Sequence, residues 1–274
     1  MPTMVDILPK KTSPATLMHK KEKDKMKLDN IIATREKKTV YRDGDKCIKV
    51  FNEEYSKADV LNEALNQARI EETGLNIPKI HEVTTVDGKW AIVSDHIEGK
   101  TLSQMIKEDP ANKTTYIEML VDIQMDIHDR KCPLLTKLKD KMNRKISMSS
   151  IDATTRYELH TRLEGMPKHN KVCHGDLCPS NVIITADGTP FVIDWAHATQ
   201  GNASADVART YLTFKLSGDD EGAEIYLNLF CKKSDTAKQY VQKWMPIVAA
   251  SQSVKGNATE RDFLMSWVNV VDWQ

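Results

Sequence analysis

With 274 residues, 40% of them hydrophobic and 28% charged, the chain can bury the cores of two unequal lobes and is too apolar for wholesale disorder. Lys plus Arg and Asp plus Glu both number 39, so the formal net charge is zero and no basic excess supports general nucleic-acid binding. No window approaches ~18 uninterrupted apolar residues, which predicts no membrane partner, and the opening stretch lacks the apolar core of a secretory signal.

Residues 1–28 carry seven lysines, from Lys10 to Lys27, and read as a basic leader, solvated or loosely docked. Strand patterns begin at Asn30. Thr39–Tyr41 and Cys47–Phe51 are β-prone runs around Asp43-Gly44, which predicts a hairpin with a type I′ turn. Residues 57–73 place Val60, Leu61, Ala64, Leu65 and Ala68 at helical spacing, with Gly74 and Pro78 as stop signals. Ile80–Thr84 and Trp90–Val93 predict a second hairpin around Asp87-Gly88. Beyond Gly99 the pattern turns helical: residues 115–129, 134–165 and 205–274, interrupted by strand-like sequence only at 172–194. A β-rich lobe up to residue 97 thus precedes a mostly helical lobe. Five scattered cysteines, Cys47, Cys132, Cys173, Cys178 and Cys231, fit neither a disulfide framework nor a paired metal motif and predict reduced thiols in a cytoplasmic protein.

The chemistry concentrates at residues 171–195. Apolar runs Asn181–Thr185 and Phe191–Asp194 flank Asp187-Gly188. If those two residues form the hairpin loop, Ala186 faces Thr189 and Asn181 lies opposite Asp194. An amide oxygen and a carboxylate side by side suit a Mg²⁺ that keeps its other bonds for water and phosphate. Asp176, five residues before Asn181, brings a second carboxylate to the same end, able to take a proton from an attacking hydroxyl. His174 and Gly175 precede it, and glycine permits the tight backbone such a loop needs.

His174-Gly-Asp-x-x-x-x-Asn181, followed by Val-Ile-Asp194-Trp195, resembles the phosphotransferase family of aminoglycoside, choline and homoserine kinases. The resemblance runs from about residue 30 onward, with support from Val93–Leu102 and Val207-Ala-Arg209. It implies a fold similar to protein kinases: α+β and bilobal, with a small antiparallel sheet and one helix in the N-terminal nucleotide-binding lobe (29–97), and a larger, mainly helical catalytic and substrate-binding lobe (98–274). It further implies Asp176 as catalytic aspartate, His174 as the residue ordering its loop, and Asn181 and Asp194 as Mg²⁺ ligands. Lys49 matches the strand lysine that holds ATP phosphates, and Glu63 its helix partner. Asp95 and Ile97 match the hinge whose carbonyl and amide read the adenine edge, and Asp206 matches an aspartate bracing the catalytic loop. Leu177–Ser180 lacks the lysine that typical protein kinases place there, which points to the small-molecule branch.

The expected activity is transfer of the ATP γ-phosphate to a hydroxyl of a small molecule. One part departs from the pattern: Ala33–Lys38, where the phosphate-covering turn should fall, contains no glycine. That departure keeps a non-catalytic nucleotide-binding module as a rival, against the intact trio Asp176, Asn181 and Asp194. A protein kinase is the third reading, disfavoured by the absence of a long activation segment after Asp194. Arg35, Lys37 or Lys38 could substitute with charge where backbone amides are missing, although solvated charges are the preferred reading. His81, His128 and His160 read as ordinary surface or core histidines, and Trp244, Trp267 and Trp273 as core, in preference to an apolar or cation–π pocket for a choline-like or sugar-alcohol substrate. From Val207 to Gln274 eight acids meet eight bases, a balance that argues against a polycationic acceptor.

Overall fold

The computed structural model describes residues 26–254 and 258–268; most of the basic leader and Trp273 lie outside them. Five strands, β1 (Ile31–Arg35), β2 (Lys38–Asp43), β3 (Lys46–Phe51), β4 (Ile80–Val86) and β5 (Lys89–Asp95), form an antiparallel sheet in the order β1-β2-β3-β5-β4. Helix α1 (Lys57–Glu71) is inserted after β3, with the Ser56 hydroxyl capping Asp59 N. Strand alternation gives the sheet two unlike faces. Ile48, Val50, Ala91 and Val93 make a small core on one side, covered by Met26 and Leu28, so the end of the leader is docked. The opposite face carries Lys38, Val40, Cys47, Lys49, Ile92 and Ser94, which line a cleft.

Both expected hairpins form, with different turns. Val86 pairs with Lys89, and Asp87 and Gly88 have φ of 48° and 79°, as a type I′ turn requires. In the first hairpin Asp43 pairs with Lys46, so the loop residues are Gly44-Asp45, and of these only Gly44 has positive φ. A leading glycine with a following ordinary residue is the II′ arrangement, a correction to the I′ expectation. The apolar face of α1 is also corrected. Leu61 and Leu65 are 43% and 47% exposed, whereas Val60, Glu63, Ala64, Gln67 and Ile70 are buried. Asn66 and Gln67 bond the carbonyls of Ala196 and Pro78. These bonds fix the helix in the rotation that points Glu63 at the cleft.

After the hinge come β6 (Lys100–Thr101), α2 (Leu102–Glu108) and α3 (Lys113–Asp129), then α4 (Leu138–Met148) and α5 (Ala153–Gly165). Strands β7 (Lys171–Cys173), β8 (Val182–Ile184), β9 (Pro190–Val192) and β10 (Thr199–Gly201) build two small sheets, β6-β8-β9 and β10-β7. Helices α6 (Ala203–Leu216), α7 (Asp220–Ser234), α8 (Lys238–Gln242), α9 (Met245–Gln252) and α10 (Ala258–Val268) complete the lobe. Its single large core includes Leu120, Val172, Trp195, Leu212, Tyr226 and Trp244, and holds the β7–β10 platform rigidly beneath the cleft. Among the described residues no helix is long and apolar enough to cross a membrane.

Candidate active site

Strand β7 runs into residues 174–178, which lead to the cleft-lining Ser180 and Asn181, and Asp206 on α6 fixes them in place. The Asp206 carboxylate accepts from His174 N (3.2 Å), Gly175 N (2.7 Å), Gln124 Nε2 (3.1 Å) and pairs with His128 Nε2 (3.0 Å). Burial alone would raise the Asp206 pKa, but the hydrogen bond and charge of His128 outweigh it and hold it below the usual range. His174 is fully buried. Its Nδ1 accepts from Asp176 N (3.2 Å), and its Nε2 meets the Ile193 carbonyl (3.1 Å); one tautomer, protonated at Nε2, satisfies both. Gly175 has φ of 80°, and a Cβ there would lie 2.6 Å from the His197 carbonyl, so this position needs glycine. His128, read from sequence as ordinary, is thus part of the loop's anchor. His81 and His160 bond Asp95 and Asn143 at their own margins.

Held this way, Asp176 is half-buried, and its Oδ1 accepts from Arg209 Nη2 at 2.9 Å. Its carbonyl accepts from Asn181 Nδ2 at 2.9 Å. That bond commits the amide nitrogen of Asn181 inward and leaves the oxygen for a cation. The hairpin register differs from the expectation by one residue. Ile184 pairs with Pro190 and Val182 with Val192, because Thr185–Thr189 is a five-residue loop closed by the Thr185 N to Thr189 O bond (3.1 Å) and by Asp187 accepting from Thr189 N (3.2 Å). Ile193 N donates to Asn181 O, so Ile193 stands where Asp194 was expected. Such a slip would normally turn a side chain to the other face. Asp194 has left the strand, however, and takes left-handed φ, ψ of 66°, 59°, and both Asn181 and Asp194 line the same cleft.

Four charges meet at Asp194. Lys49 Nζ lies 2.6 Å from Glu63 Oε1 and 3.5 Å from Asp194 Oδ1. Lys38 Nζ lies 3.0 Å from Asp194 Oδ2 and 4.0 Å from Glu63. Burial disfavours the Lys49 ammonium, but the carboxylates of Asp194 and Glu63 overcome it and raise its pKa. Burial likewise opposes the Asp194 charge, and Lys49 and Lys38 outweigh it, holding that carboxyl well below the usual range. The cleft above them is about 450 Å³ and is walled by Ile32, Val40, Pro78, Ile92, Ile183 and the segment Ser94–Ile97. Asp95 and Ile97 therefore sit on the wall as expected. The Asp95 side chain is turned away to Lys79 N (2.8 Å) and His81 (2.7 Å).

Two further side chains join the site: Lys38, whose charge the sequence offered as a substitute for the glycine-free turn without preferring that role, and Arg209. Lys38 is no solvated charge, since its side chain is 18% exposed and inside the cleft. The signal was the β2–β3 register: Val40 faces Lys49, and strand alternation then puts Lys38 on the same face. Arg209 was noticed only as part of a motif, and its pairing with Asp176 depends on tertiary folding. His128, Cys173 and Asp206 each bring a ligand atom within 4.8 Å of the others. Burial pushes the Cys173 thiol well up, which favours its protonated form over a metal-binding thiolate. Its donor geometry is the anchor already described.

A family model described as "Phosphotransferase enzyme family" matches residues 32–240. The chain belongs to this family. As a member it is a small-molecule phosphotransferase, and the fold is the bilobal, protein-kinase-like one. A thermostable mutant (D198A) of aminoglycoside phosphotransferase APH(4)-Ia, solved as a ternary complex with ADP and hygromycin B, superposes with a TM-score of 0.64 at 12% identity, covering 86% of this chain and 90% of that one. Choline kinase LicA from Streptococcus pneumoniae gives 0.60 at 15% identity, covering 88% and 93%. An aminoglycoside-3'-phosphotransferase of type VIII gives 0.62 at 16%, covering 81% and 93%. No curated protein sequence matches this phosphotransferase.

Proposed function

We propose that this phosphotransferase moves the γ-phosphate of ATP, bound with Mg²⁺, to a hydroxyl of a small molecule. The observation carrying this is the convergence, on one cleft, of the Lys49–Glu63 pair at 2.6 Å, Asp194 beside it, and Asn181, which bonds the Asp176 carbonyl of the anchored loop. The nucleotide complex of the APH(4)-Ia neighbour supports nucleotide in the interlobe cleft. In this reading residues 29–97 form the nucleotide-binding domain and 98–274 the catalytic one. The backbone of Asp95 and Ile97 reads the adenine edge. Glu63 orients Lys49, whose ammonium binds the phosphates, and Lys38 supplies from a side chain the charge that a glycine-rich turn supplies from amides.

The donor set fits Mg²⁺: the Asn181 amide oxygen is turned outward by its bond to Asp176 O, and Asp194 is kept ionised. When bound, that ion neutralises charge on the phosphates. His174 and Asp206 hold the loop, Asp176 accepts the acceptor's hydroxyl proton, and Arg209 fixes the Asp176 carboxylate in place. The five unpaired thiols fit a reducing compartment such as the cytoplasm. The test is ATP binding by thermal shift with and without Mg²⁺, followed by ADP release over a panel of hydroxyl compounds. Nucleotide binding and acceptor-dependent ADP release are the expected result. Absence of any ATP- and Mg²⁺-dependent shift would refute the reading.

A further inference from the structure

A second cavity, of about 210 Å³, lies below the nucleotide cleft, between α2, the residues following Asp176, and the C-terminal half of α6. Ser103 and Ser180 line both cavities, so the two meet there. The Thr213 hydroxyl bonds the carbonyl of Arg209, one helical turn away, and Arg209 holds Asp176. A molecule seated along α6 would therefore lie about one to two helical turns, roughly 6–11 Å, from the Arg209 turn of that helix.

The lining is chemically specific. Ser103, Ser180, Thr213 and Ser217 contribute hydroxyls beside Phe214, and among the described residues Asp219 is the only charged one that lines it. Asp219 is already engaged: it accepts from Lys113 at 2.7 Å and from Gly222 N at 2.9 Å. The neighbouring acids are engaged too. Glu221 pairs with Lys113 (2.9 Å), Asp220 with Lys215 (2.8 Å), and Glu224 with Lys238 (2.8 Å). Among the described residues, each of these acids already has a lysine partner that an incoming ammonium would have to share or displace, and Asp219 Oδ1 takes both the Lys113 and the Gly222 bonds. Thr213 and Ser217 already donate to the carbonyls of Arg209 and Phe214 and offer their oxygens as acceptors, while the Ser103 and Ser180 hydroxyls can donate as well as accept. A hydroxylated ligand answers both roles, and an ammonium only donates. The volume exceeds the ~150 Å³ of a cavity that holds benzene, which suits one substituted ring and not a chain of three.

Resting on the phosphotransferase reading, we infer that this cavity is the acceptor subsite and that the acceptor is an uncharged polyol of monosaccharide or cyclitol size. The experiment measures ADP release by the full chain with MgATP, using ribose, glucose and myo-inositol as uncharged probes, choline as a single cation, and kanamycin and neomycin as polycations. An uncharged probe raising ADP release about tenfold above the water background supports the inference. Choline or an aminoglycoside preferred over every uncharged probe overturns it. ATP binding without turnover of any uncharged probe also overturns it, and leaves the phosphotransferase reading standing; failure to bind ATP would instead sink that reading.

Two variants locate the subsite. Thr213→Trp fills the cavity and should raise the acceptor KM about tenfold or more while the Kd for MgATP, measured by calorimetry, stays within about twofold. Thr213→Val keeps the shape, removes one hydroxyl, and should raise KM by about two- to tenfold. An unchanged KM in either folded variant overturns the assignment of the cavity.

Discussion

The two ends of the active-site cleft handle charge in opposite ways. At the nucleotide end Lys38, Lys49, Glu63 and Asp194 cluster in a half-enclosed space, with the Lys49 ammonium stabilised by its carboxylate neighbours. Both ammonium groups are held on the cleft wall by Glu63 and Asp194, where a polyphosphate can engage them from the open side. At the acceptor end the four acids that open α7 are each tied to a lysine on a neighbouring element. Both ends are ion-paired; the difference is that the first presents two ammonium groups to the cleft, whereas the second presents acids already tied to lysines. Charge composition alone could not separate these cases, because both regions are near neutral overall.

The largest way to break this comparison is at the residue between the two ends. Asp176→Asn should lower kcat by ~10²–10⁴-fold, the usual cost of a lost general base. MgATP affinity should stay within several-fold, because the carboxylate points to Arg209 and away from the lysines. Unchanged kcat would remove Asp176 from the role. Next in size, Asp194→Ala should abolish the Mg²⁺-dependent part of nucleotide binding, and equal MgATP affinities by calorimetry would contradict that. Asp206→Ala, by contrast, should act on the fold. It strips a buried carboxylate from two backbone amides, His128 and Gln124, a loss of about 3–5 kcal/mol.

The Asp206 contribution has a definite pH signature. Its folded pKa is depressed, so its stabilisation is complete above the unfolded value, roughly 3.9, and is lost as pH falls through the lower folded value. Urea unfolding of wild type and Asp206→Asn should show a gap that is constant from about pH 5 to 7 and narrows below about pH 4. A gap that widens on acidification would reverse the assignment.

Much of the nucleotide end was legible in the chain because its residues lie in local patterns. His174, Asp176, Asn181 and Asp194 fall within one short segment, and Lys49 and Glu63 sit on a strand and the helix that follows it. What stayed hidden required three-dimensional register. The loop Thr185–Thr189 is longer than the Asp187-Gly188 pair suggested, since Asp187 closes it through Thr189, and this moved the pairing by one residue. Asp194 still reaches the cleft because of its left-handed backbone, which a β-prone sequence does not announce. Lys38 meets Asp194 across 156 positions of chain. The α1 rotation was misjudged because Leu61 and Leu65 outweighed Glu63, Asn66 and Gln67 in an apolar pattern, while the buried bonds of those polar side chains decided the outcome.

The smallest effect probes the acceptor end directly. Lys113 holds Asp219 at 2.7 Å and Glu221 at 2.9 Å, and it comes from the first turn of α3, not from the helix it neutralises. Lys113→Ala should free both carboxylates without disturbing the Asp219 cap on Gly222 N. If lysine pairing is what keeps polycations out, the variant should bind kanamycin tighter than wild type. The gain should be no more than about fivefold, because pairs exposed to this degree are worth about 0–1 kcal/mol. It should vanish near 1 M salt, where the screening length falls to about 3 Å. Titration calorimetry at low and high salt reads both effects. Equal kanamycin affinity in the two proteins at low salt would show that the lysine pairs are not the barrier, and would shift the explanation for acceptor choice to the size and hydroxyl lining of the cavity.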